Sequence, residues 1–484
     1  MSAAIHPACD AGNVARPAAY PAAHPGAVAV RHPRWVLTAT ILASSLAFID
    51  GSVVNVGLAA IGGSLKAGAG DLAWVINAYL LPLGALLLLG GAAGDRYGRM
   101  RLLVAGTLLF GLASIACALA PSLPLLLAGR AVQGIGAAML LPNSLAILGA
   151  SFSGPARGQA VGIWAAMGSV MGAAGPVLGG WLIDTLSWRA IFLINLPLVA
   201  GAVLLALLFI QDTQEPDAPA LDVPGGVLAT AGLGVLTWGL TIGAGPSGWS
   251  ILAIALTGAG SLLMLGFLVI EKQRGEKAMM PLSLFGAASF VGLTIFTWLL
   301  WGALGGLITL VPYLLIKAGG YSGTGAGAAL VPFALVLTVG SPVMGKVAGE
   351  LGPRLPLTFG ALVTAGGFLL LLRAGDAADY WTDIFPGILV LAIGMSGAVA
   401  PLTTAVLSSV DSAHTGSASG LNSAVARVAG MVAVALLGGV LGMSGPALMY
   451  GFGVAMIVCA AAALAGAACA FFLIRIDGGR VKPP

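Results

Sequence analysis

The sequence predicts an all-α polytopic membrane protein with fourteen transmembrane spans. Only 8% of its 484 residues are charged and 59% are hydrophobic, and the hydrophobic residues fall into long runs. A soluble domain carries about 25% charged residues, because its surface must be wetted by polar groups. The composition therefore excludes soluble enzymes, nucleic-acid-binding proteins and disordered chains.

The runs themselves give the number of spans. A helix needs roughly 20 apolar residues to cross the hydrocarbon core of a bilayer, and a β-barrel would instead show alternating strands of roughly 10 residues. From Trp35 onward, fourteen runs have the length of a membrane helix. In chain order they are 35–60, 70–91, 102–120, 124–149, 159–184, 188–210, 222–243, 248–270, 287–312, 322–348, 356–374, 384–408, 418–442 and 447–474.

The charges between the runs predict the orientation. Most of the 21 lysines and arginines lie in the tails or in alternate loops, and only Lys66, Arg189, Lys317 and Arg373 fall on the other side. Cationic residues accumulate in cytoplasmic loops of membrane proteins. We therefore expect a multi-pass protein of the cell (inner or plasma) membrane with both termini in the cytoplasm.

A repeated loop predicts the domain organisation. Gly91–Arg99 follows the second run, and a similar segment with the same glycines and final arginine, Gly345–Arg354, follows the tenth. Two six-span bundles of the same topology would produce this repeat. The predicted bundles are 34–211 and 272–475, with a two-span insert at 212–271 and disordered cytoplasmic tails at 1–33 and 476–484.

Cysteine and histidine give no metal site. Cys9, Cys117, Cys459 and Cys469 are scattered, and most of the four histidines lie in the N-terminal tail. Neither the spacing of metal ligands nor a disulfide framework is present. We expect no cofactor and no bound metal.

Three ionisable side chains lie well inside predicted spans: Asp50, Arg130 and Arg427. A charge at the bilayer centre costs at least about 2.5–3.5 kcal/mol, so each is a candidate for function. Asp50 is the only acid among them, and we predict that it binds the coupling proton or a substrate ion. The alternative is a structural salt bridge, or a hydrogen bond to Ser52 or Asn55.

Arg130 is the predicted partner of Asp50. Arg130, Gly134 and Ala138 share one helix face, where small residues allow close packing while Arg130 and Gln133 point into the bundle. Counted from the outer ends of their spans, Asp50 and Arg130 differ in depth by only about 6 Å.

Two further segments are candidates for conformational change. One face of the fifth run consists of glycines: Gly168, Gly172, Gly175 and Gly179. Together with Gly180 and with Pro176, which bends a helix, they predict a bend at the interface between the halves. The alternative is that the glycines only allow tight helix packing. In the loop after the second run, Gly98 can supply a left-handed turn. Anchoring by positive charge explains Arg96 and Arg99 but not Asp95, which indicates a cytoplasmic latch.

Aromatic and polar residues inside the spans are candidates to line an apolar substrate cavity. Each aromatic side chain has helix packing or the membrane interface as its alternative role. The set comprises Asn55, Trp74, Tyr79, Gln133, Trp164, Trp298, Trp301 and Arg427.

Three of these segments resemble signatures of the major facilitator superfamily. They are 91–101, 130–138 and 175–180, the last associated with antiporters of the family. Four more segments resemble its fourteen-span drug:proton antiporter branch: 50–56, 188–197, 221–225 and 281–285. The resemblance extends from Trp35 to Arg475.

The resemblance implies a major facilitator fold of two six-helix bundles plus two central helices, working by alternating access. Asp50 would then be the proton-linked acid and Arg130 its tuning partner. Gly91, Asp95, Arg96, Gly98 and Arg99 would form the inner gate, and Gly172, Gly175, Pro176, Gly179 and Gly180 would seal the outer side.

We therefore expect a proton-coupled antiporter that exports a hydrophobic or amphiphilic compound such as a drug or antibiotic, and no enzyme. The expected partners are a small-molecule substrate, protons and the lipid bilayer, with no nucleic acid, and the monomer is expected to function. A single buried acid predicts poor transport of dications. The alternative is an exporter of an endogenous metabolite (an amino acid, sugar, siderophore or lipid-like compound). A non-transporting sensor would need a soluble domain that no loop can hold, and an intramembrane enzyme would need a zinc pair or catalytic dyad that the spans lack.

Overall fold

The computed structural model describes residues 32–214, 221–245, 248–275, 278–375, 379–410, 415–441 and 443–474. Within these ranges it contains 14 helices long and apolar enough to cross a membrane, which confirms the predicted fold class. Most of the predicted N-terminal tail and the whole of the C-terminal tail lie outside the described residues. The helices, numbered α1 to α14 in chain order, are Pro33–Leu65, Gly70–Tyr97, Arg99–Leu119, Leu123–Ser151, Ala156–Thr185, Ala190–Phe209, Val223–Ala244, Ile251–Arg274, Ala288–Lys317, Gly323–Leu351, Arg354–Arg373, Tyr380–Ser408, Ala418–Gly439 and Gly445–Leu473.

Several helices extend beyond the hydrophobic runs that predicted them. The α2 helix continues to Tyr97, so Gly91–Tyr97, most of which we assigned to a loop, is helical. A helix can leave the hydrocarbon core and remain helical while its charged side chains reach water. The α2 helix ends at Gly98, whose φ of 112° lies in the left-handed region that favours glycine.

The helices form two six-helix bundles with a helix pair beside them. Helices α1–α6 pack into the first bundle and α9–α14 into the second, while α7 and α8 pack on each other. The bundles are joined mainly by three helix pairs, α1 with α9, α2 with α13 and α5 with α10, and α1 also touches α10. The α7 helix also contacts both α2 and α13, so the insert rests on the joint between the bundles.

Hydrogen bonds and an ion pair fasten the insert at one end. Asp222 accepts hydrogen bonds from the backbone N–H of Gly225 (2.9 Å) and of Met279 (3.1 Å). It also pairs with Arg274 at 2.9 Å. Burial opposes ionisation of Asp222, but these bonds and the neighbouring Glu271 and Arg274 hold the pKa of its carboxyl below the usual range. The two ends of the insert are thus tied to each other and to the segment that enters the second bundle.

The two faces of the molecule differ. We call the face where α1 begins at Pro33 and α14 ends at Leu473 the terminus face, and the opposite one, where α5 ends and α10 begins, the far face. At the far face the backbones of α5 and α10 touch, and a Cβ added at Gly180 would overlap the backbone of Gly323. Toward the terminus face α5 contacts little of α10, and Ile163 and Val343 are 41% and 57% exposed. The α5 and α10 backbones are therefore in contact at the far face, and these two helices pack less closely toward the terminus face.

Candidate functional site

A fully buried ion pair lies inside the first bundle. Asp50 of α1 and Arg130 of α4 contact each other through Oδ2 and Nη1, and their side chains are 0% and 1% exposed. Arg130 also donates from Nη1 to Oε1 of Gln133 (2.8 Å) and from Nε to the carbonyl of Val75 (3.1 Å). The structure thus brings the predicted pair together, at the similar depth that the sequence indicated.

Three more polar side chains extend the pair into a network. Gln133 donates from Nε2 to Oδ1 of Asp50 (3.3 Å) and to Oγ of Ser114 (2.8 Å). Asn195 donates to the same Ser114 hydroxyl at 3.3 Å. Because both carboxylate oxygens and two guanidinium nitrogens have protein partners, the two charges are compensated by neighbouring side chains and backbone.

Aromatic rings cover the guanidinium of Arg130. Its central carbon lies 4.5 Å from the ring centroid of Tyr79 and 5.8 Å from that of Phe192. Such contacts are favourable for a cation removed from water. The sequence predicted that Tyr79 and Gln133 line the substrate cavity. In the structure their side chains are 1% and 0% exposed, so both belong to the buried network instead.

Small residues position the ion pair. A Cβ at Gly134 would overlap the Tyr79 carbonyl and the Pro82 ring of α2. A glycine one turn after Arg130 therefore lets α4 approach α2 closely enough for Arg130 to reach the Val75 carbonyl. Ser114 and Asn195 were given no role from the sequence; the available signal was a polar residue within an otherwise apolar run.

Arg427 is the third intramembrane charge and has a different environment. It is half-buried in α13, and its Cβ lies 3.6 Å from where a Cβ of Gly84 on α2 would be. Its Nε is buried without a hydrogen-bond partner among the described residues. Among the described residues, ion pairs are formed by Arg99, Arg101, Arg130 and Arg274, and none of them involves Arg427.

The remaining predicted cavity residues lie on helices α1, α2, α5 and α9, which take part in joining the bundles. Asn55 accepts a hydrogen bond from Thr309 across the joint at 3.2 Å. Trp164 donates to Ser44 at 2.9 Å and is half-buried. Trp298 is 40% exposed, whereas Trp74 and Trp301 are half-buried.

The predicted gate loop is held by contacts within itself and with the segment that follows α6. Asp95 pairs with Arg99 at 2.8 Å. Asp212, three residues after α6 ends, pairs with Arg101 at 3.0 Å and accepts from the backbone N–H of Met100 at 3.0 Å. Gly98 is required here, because any Cβ would contact the Asp212 carboxylate. The loop therefore depends on the Asp212 carboxylate, which the sequence did not predict.

Gly91 and Arg96, the other two residues predicted to form the gate, have contacts outside this ion-pair cluster. A Cβ at Gly91 would lie 3.4 Å from Pro142 of α4, and the guanidinium of Arg96 lies 5.9 Å from the ring of Tyr97.

The glycines of α5 pack against two different helices. Added Cβ atoms at Gly175 and Gly179 would overlap Ser52 and Val53 of α1, whereas Pro176 and Gly180 touch the backbone of Gly327 and Gly323 on α10. Gly172 has no atom within 4 Å of an added Cβ. This corrects the expectation that Gly172 packs with the others.

One carboxylate of α5 bridges the bundles at the far face. Asp184 accepts hydrogen bonds from the backbone N–H of Gly323 (3.0 Å) and Thr324 (2.8 Å) and from the Thr324 hydroxyl (2.6 Å). The sequence gave no signal for Asp184, because its position at the membrane boundary made it look like an ordinary loop-side charge.

The family model of the Major Facilitator Superfamily matches residues 40–434. The chain belongs to the major facilitator superfamily. It is 31% identical to the multidrug resistance protein Stp of Mycobacterium tuberculosis (strain CDC 1551 / Oshkosh) over 84% of this chain and 75% of that protein. It is 35% identical to a cephamycin export protein of Amycolatopsis lactamdurans (83% and 84% covered), and 33% identical to a probable actinorhodin transporter of Streptomyces coelicolor (84% and 72% covered).

Solved structures of the superfamily show the same fold. The xylose transporter XylE from E. coli in its inward open conformation aligns with a TM-score of 0.62 at 14% identity, covering 92% of this chain and 97% of that one. A POT family transporter in complex with a thioalcohol conjugated peptide aligns with a TM-score of 0.67 at 14% identity (90% and 94% covered). The chain is therefore a multi-pass membrane transporter of small molecules and not an enzyme.

Proposed function

We propose that this major facilitator is a proton-coupled antiporter that exports a hydrophobic or amphiphilic small organic compound, such as a drug or antibiotic. The observation that carries the proposal is the fully buried Asp50–Arg130 pair in a molecule whose bundles are in backbone contact at the far face. The export and resistance functions named for relatives that match most of the chain support the class of cargo.

In this proposal the terminus face is cytoplasmic and the protein lies in the cell membrane. Exposed cations such as Arg34, Arg101 and Arg157 on the terminus face agree with the positive-inside rule. The bundles 34–211 and 272–475 would move about the insert 212–271, and each monomer would work alone without a cofactor.

The proposed cycle uses the ion pair as the proton site. With the cavity open to the cytoplasm, Asp50 is ionised and is held by Arg130 and Gln133. Substrate binding and separation of α5 from α10 open the far face, and substrate leaves there. A carboxylate that loses its guanidinium partner in an apolar interior binds a proton more readily, so Asp50 takes a proton from outside. Return to the open terminus face restores the pair and releases that proton to the cytoplasm.

The proton gradient is sufficient to drive this cycle. One charge crossing a potential of 100 mV releases about 2.3 kcal/mol, and each unit of pH difference adds about 1.4 kcal/mol.

The test is Asp50→Asn in everted membrane vesicles whose interior has been acidified by respiration. Addition of a substrate to wild-type vesicles should release protons from the interior, followed with a pH-sensitive dye, because substrate enters as protons leave. We expect Asp50→Asn to abolish the signal, since Asn keeps the shape and cannot bind a proton.

Asp71→Asn is the matched control, because Asp71 is an exposed acid at the start of α2 and should leave the signal unchanged. Equal yield and elution volume of the purified proteins would show that folding is intact. Proton release by Asp50→Asn at the wild-type rate would remove Asp50 from the mechanism.

A further inference from the structure

Arg427 is a cation in the middle of a transmembrane helix, and no described acidic residue forms an ion pair with it. It lies nine residues into α13, which runs from Ala418 to Gly439. A charge at this depth is costly unless it is paired. Its Nε is buried and makes no hydrogen bond within the described ranges.

The helices packed around Arg427 offer no carboxylate at its depth. Helices α9 and α13 contain no acidic residue, and those of α2 lie near its ends, at Asp71 and Asp95. Tyr79 is near enough to interact electrostatically with Arg427, but a neutral phenol does not balance a cation. Asp50, the buried acid of the network, is occupied by Arg130 and Gln133.

The surroundings of Arg427 suit a flat apolar molecule. Thr297 of α9 donates to Asn422 of α13 at 2.6 Å, and Gly302 of α9 lies opposite Ala429. This register places Trp298 and Trp301 of α9 at the level of Arg427. Trp298 is 40% exposed, and aromatic rings of this kind stack on planar ligands.

We propose that Arg427 is the anchor for an anionic group on the substrate, and that the substrate class is aromatic amphiphiles carrying one carboxylate or ionised phenol. The inference rests on the proposed export function and specifies its substrate. A guanidinium binds a carboxylate through two parallel hydrogen bonds and donates a charge-assisted hydrogen bond to a phenolate oxygen. The substrate then supplies the counter-ion that the protein does not.

The sign of the charge also suits export. The inside of a bacterial cell membrane is electrically negative, so the potential favours outward movement of an anion and opposes that of a cation. The same reasoning agrees with the expected poor transport of dications, which Arg427 would repel.

The experiment compares three fluorescent probes with the same ring system: 2-naphthoate, its methyl ester and 2-naphthylmethylamine. Efflux from loaded cells of an efflux-deficient host is measured with and without the protein. We expect wild type to export the acid at least tenfold faster than the ester or the amine. Arg427→Gln should lower the acid-to-ester ratio at least tenfold, whereas Arg427→Lys, which keeps the charge, should lower it by less.

The matched control is Arg34→Gln, because Arg34 is exposed on the first turn of α1 and should leave the ratio unchanged. Folding is judged by elution of the purified protein. If Arg427→Gln fails to fold, Arg427→Lys still tests the inference, because an ammonium cannot form the two parallel hydrogen bonds of a guanidinium and must therefore lower the acid-to-ester ratio. An unchanged ratio in either folded variant, or preferential export of the amine or ester by wild type, would overturn the inference while leaving the exporter intact. Export of none of the three probes by wild type would overturn this inference, whereas the proposed function would be decided separately by the everted-vesicle assay.

Discussion

The two bundles each contain an arginine inside a membrane helix, but the surroundings of the two arginines differ. Arg130 in the first bundle is 1% exposed and is neutralised by Asp50, with Gln133, Ser114 and Asn195 completing the network. Arg427 in the second bundle is half-buried, and its Nε has no partner in the described part of the chain. The first bundle therefore contains a compensated ion pair, and the second contains an arginine without an ion-pair partner among the described residues. This difference agrees with proton binding in the first bundle and substrate binding in the second.

The strongest test of this contrast is the stability of the two arginine variants. Removing one partner of a buried ion pair costs about 3–5 kcal/mol, because the other charge is left uncompensated. We therefore expect Arg130→Gln to lower the unfolding temperature in detergent clearly. Arg427→Gln should leave it unchanged or raise it, since no buried carboxylate loses its partner.

A double variant separates charge from packing. Asp50→Asn combined with Arg130→Gln removes both charges and should recover much of the stability lost in Arg130→Gln, as expected for coupled neighbours. Equal destabilisation by Arg130→Gln and Arg427→Gln would contradict the proposed difference between the bundles.

A second test concerns the contact between the bundles at the far face. Gly180 and Gly172 lie eight residues apart on α5, but a Cβ at Gly180 would overlap the backbone of Gly323 whereas Gly172 has open space. Overpacking of this kind costs about 1–3 kcal/mol. We expect Gly180→Ala to favour the state open at the far face and Gly172→Ala to change little.

The measurement is labelling of a cysteine introduced at Ser52 by a membrane-impermeant thiol reagent added from outside to intact cells, in a background without the native cysteines. Gly180→Ala should raise the labelling rate about tenfold or more, the equivalent of about 1.4 kcal/mol. Faster labelling with Gly172→Ala than with Gly180→Ala would show that α5 and α10 are not the seal.

The sequence was sufficient to predict the spans and the Asp50–Arg130 pair, for a physical reason. Charges inside apolar runs are expensive, so the few that exist stand out, and their depth follows from helix rise. The sequence could not show that Gln133 and Tyr79 belong to the ion pair and not to the cavity, because both roles place a polar group on an inward helix face. Asp184 and Asp212 were missed because an acid near a membrane boundary costs little and so gives no signal; their roles depend on the packing of distant helices.

The smallest expected effect concerns Tyr79, which lies between the two charged sites. Its ring covers Arg130 at 4.5 Å and its hydroxyl donates to the carbonyl of Ala47 at 3.3 Å, while Gly84, five residues further along α2, lies against the Cβ of Arg427. Tyr79→Phe keeps the ring and removes one hydrogen bond worth about 0.5–1.5 kcal/mol. Folding should therefore be nearly unchanged.

If Tyr79 links the proton site to the substrate site, Tyr79→Phe should alter the protons released per substrate taken up in everted vesicles while each partial reaction remains measurable. Tyr313→Phe, which removes a buried phenol hydroxyl from α9, is the matched control and should leave this ratio at its wild-type value. If Tyr79→Phe leaves the ratio unchanged, the Asp50–Arg130 pair and Arg427 are coupled only through the movement of the helices. The Tyr79 ring would then serve only to cover Arg130.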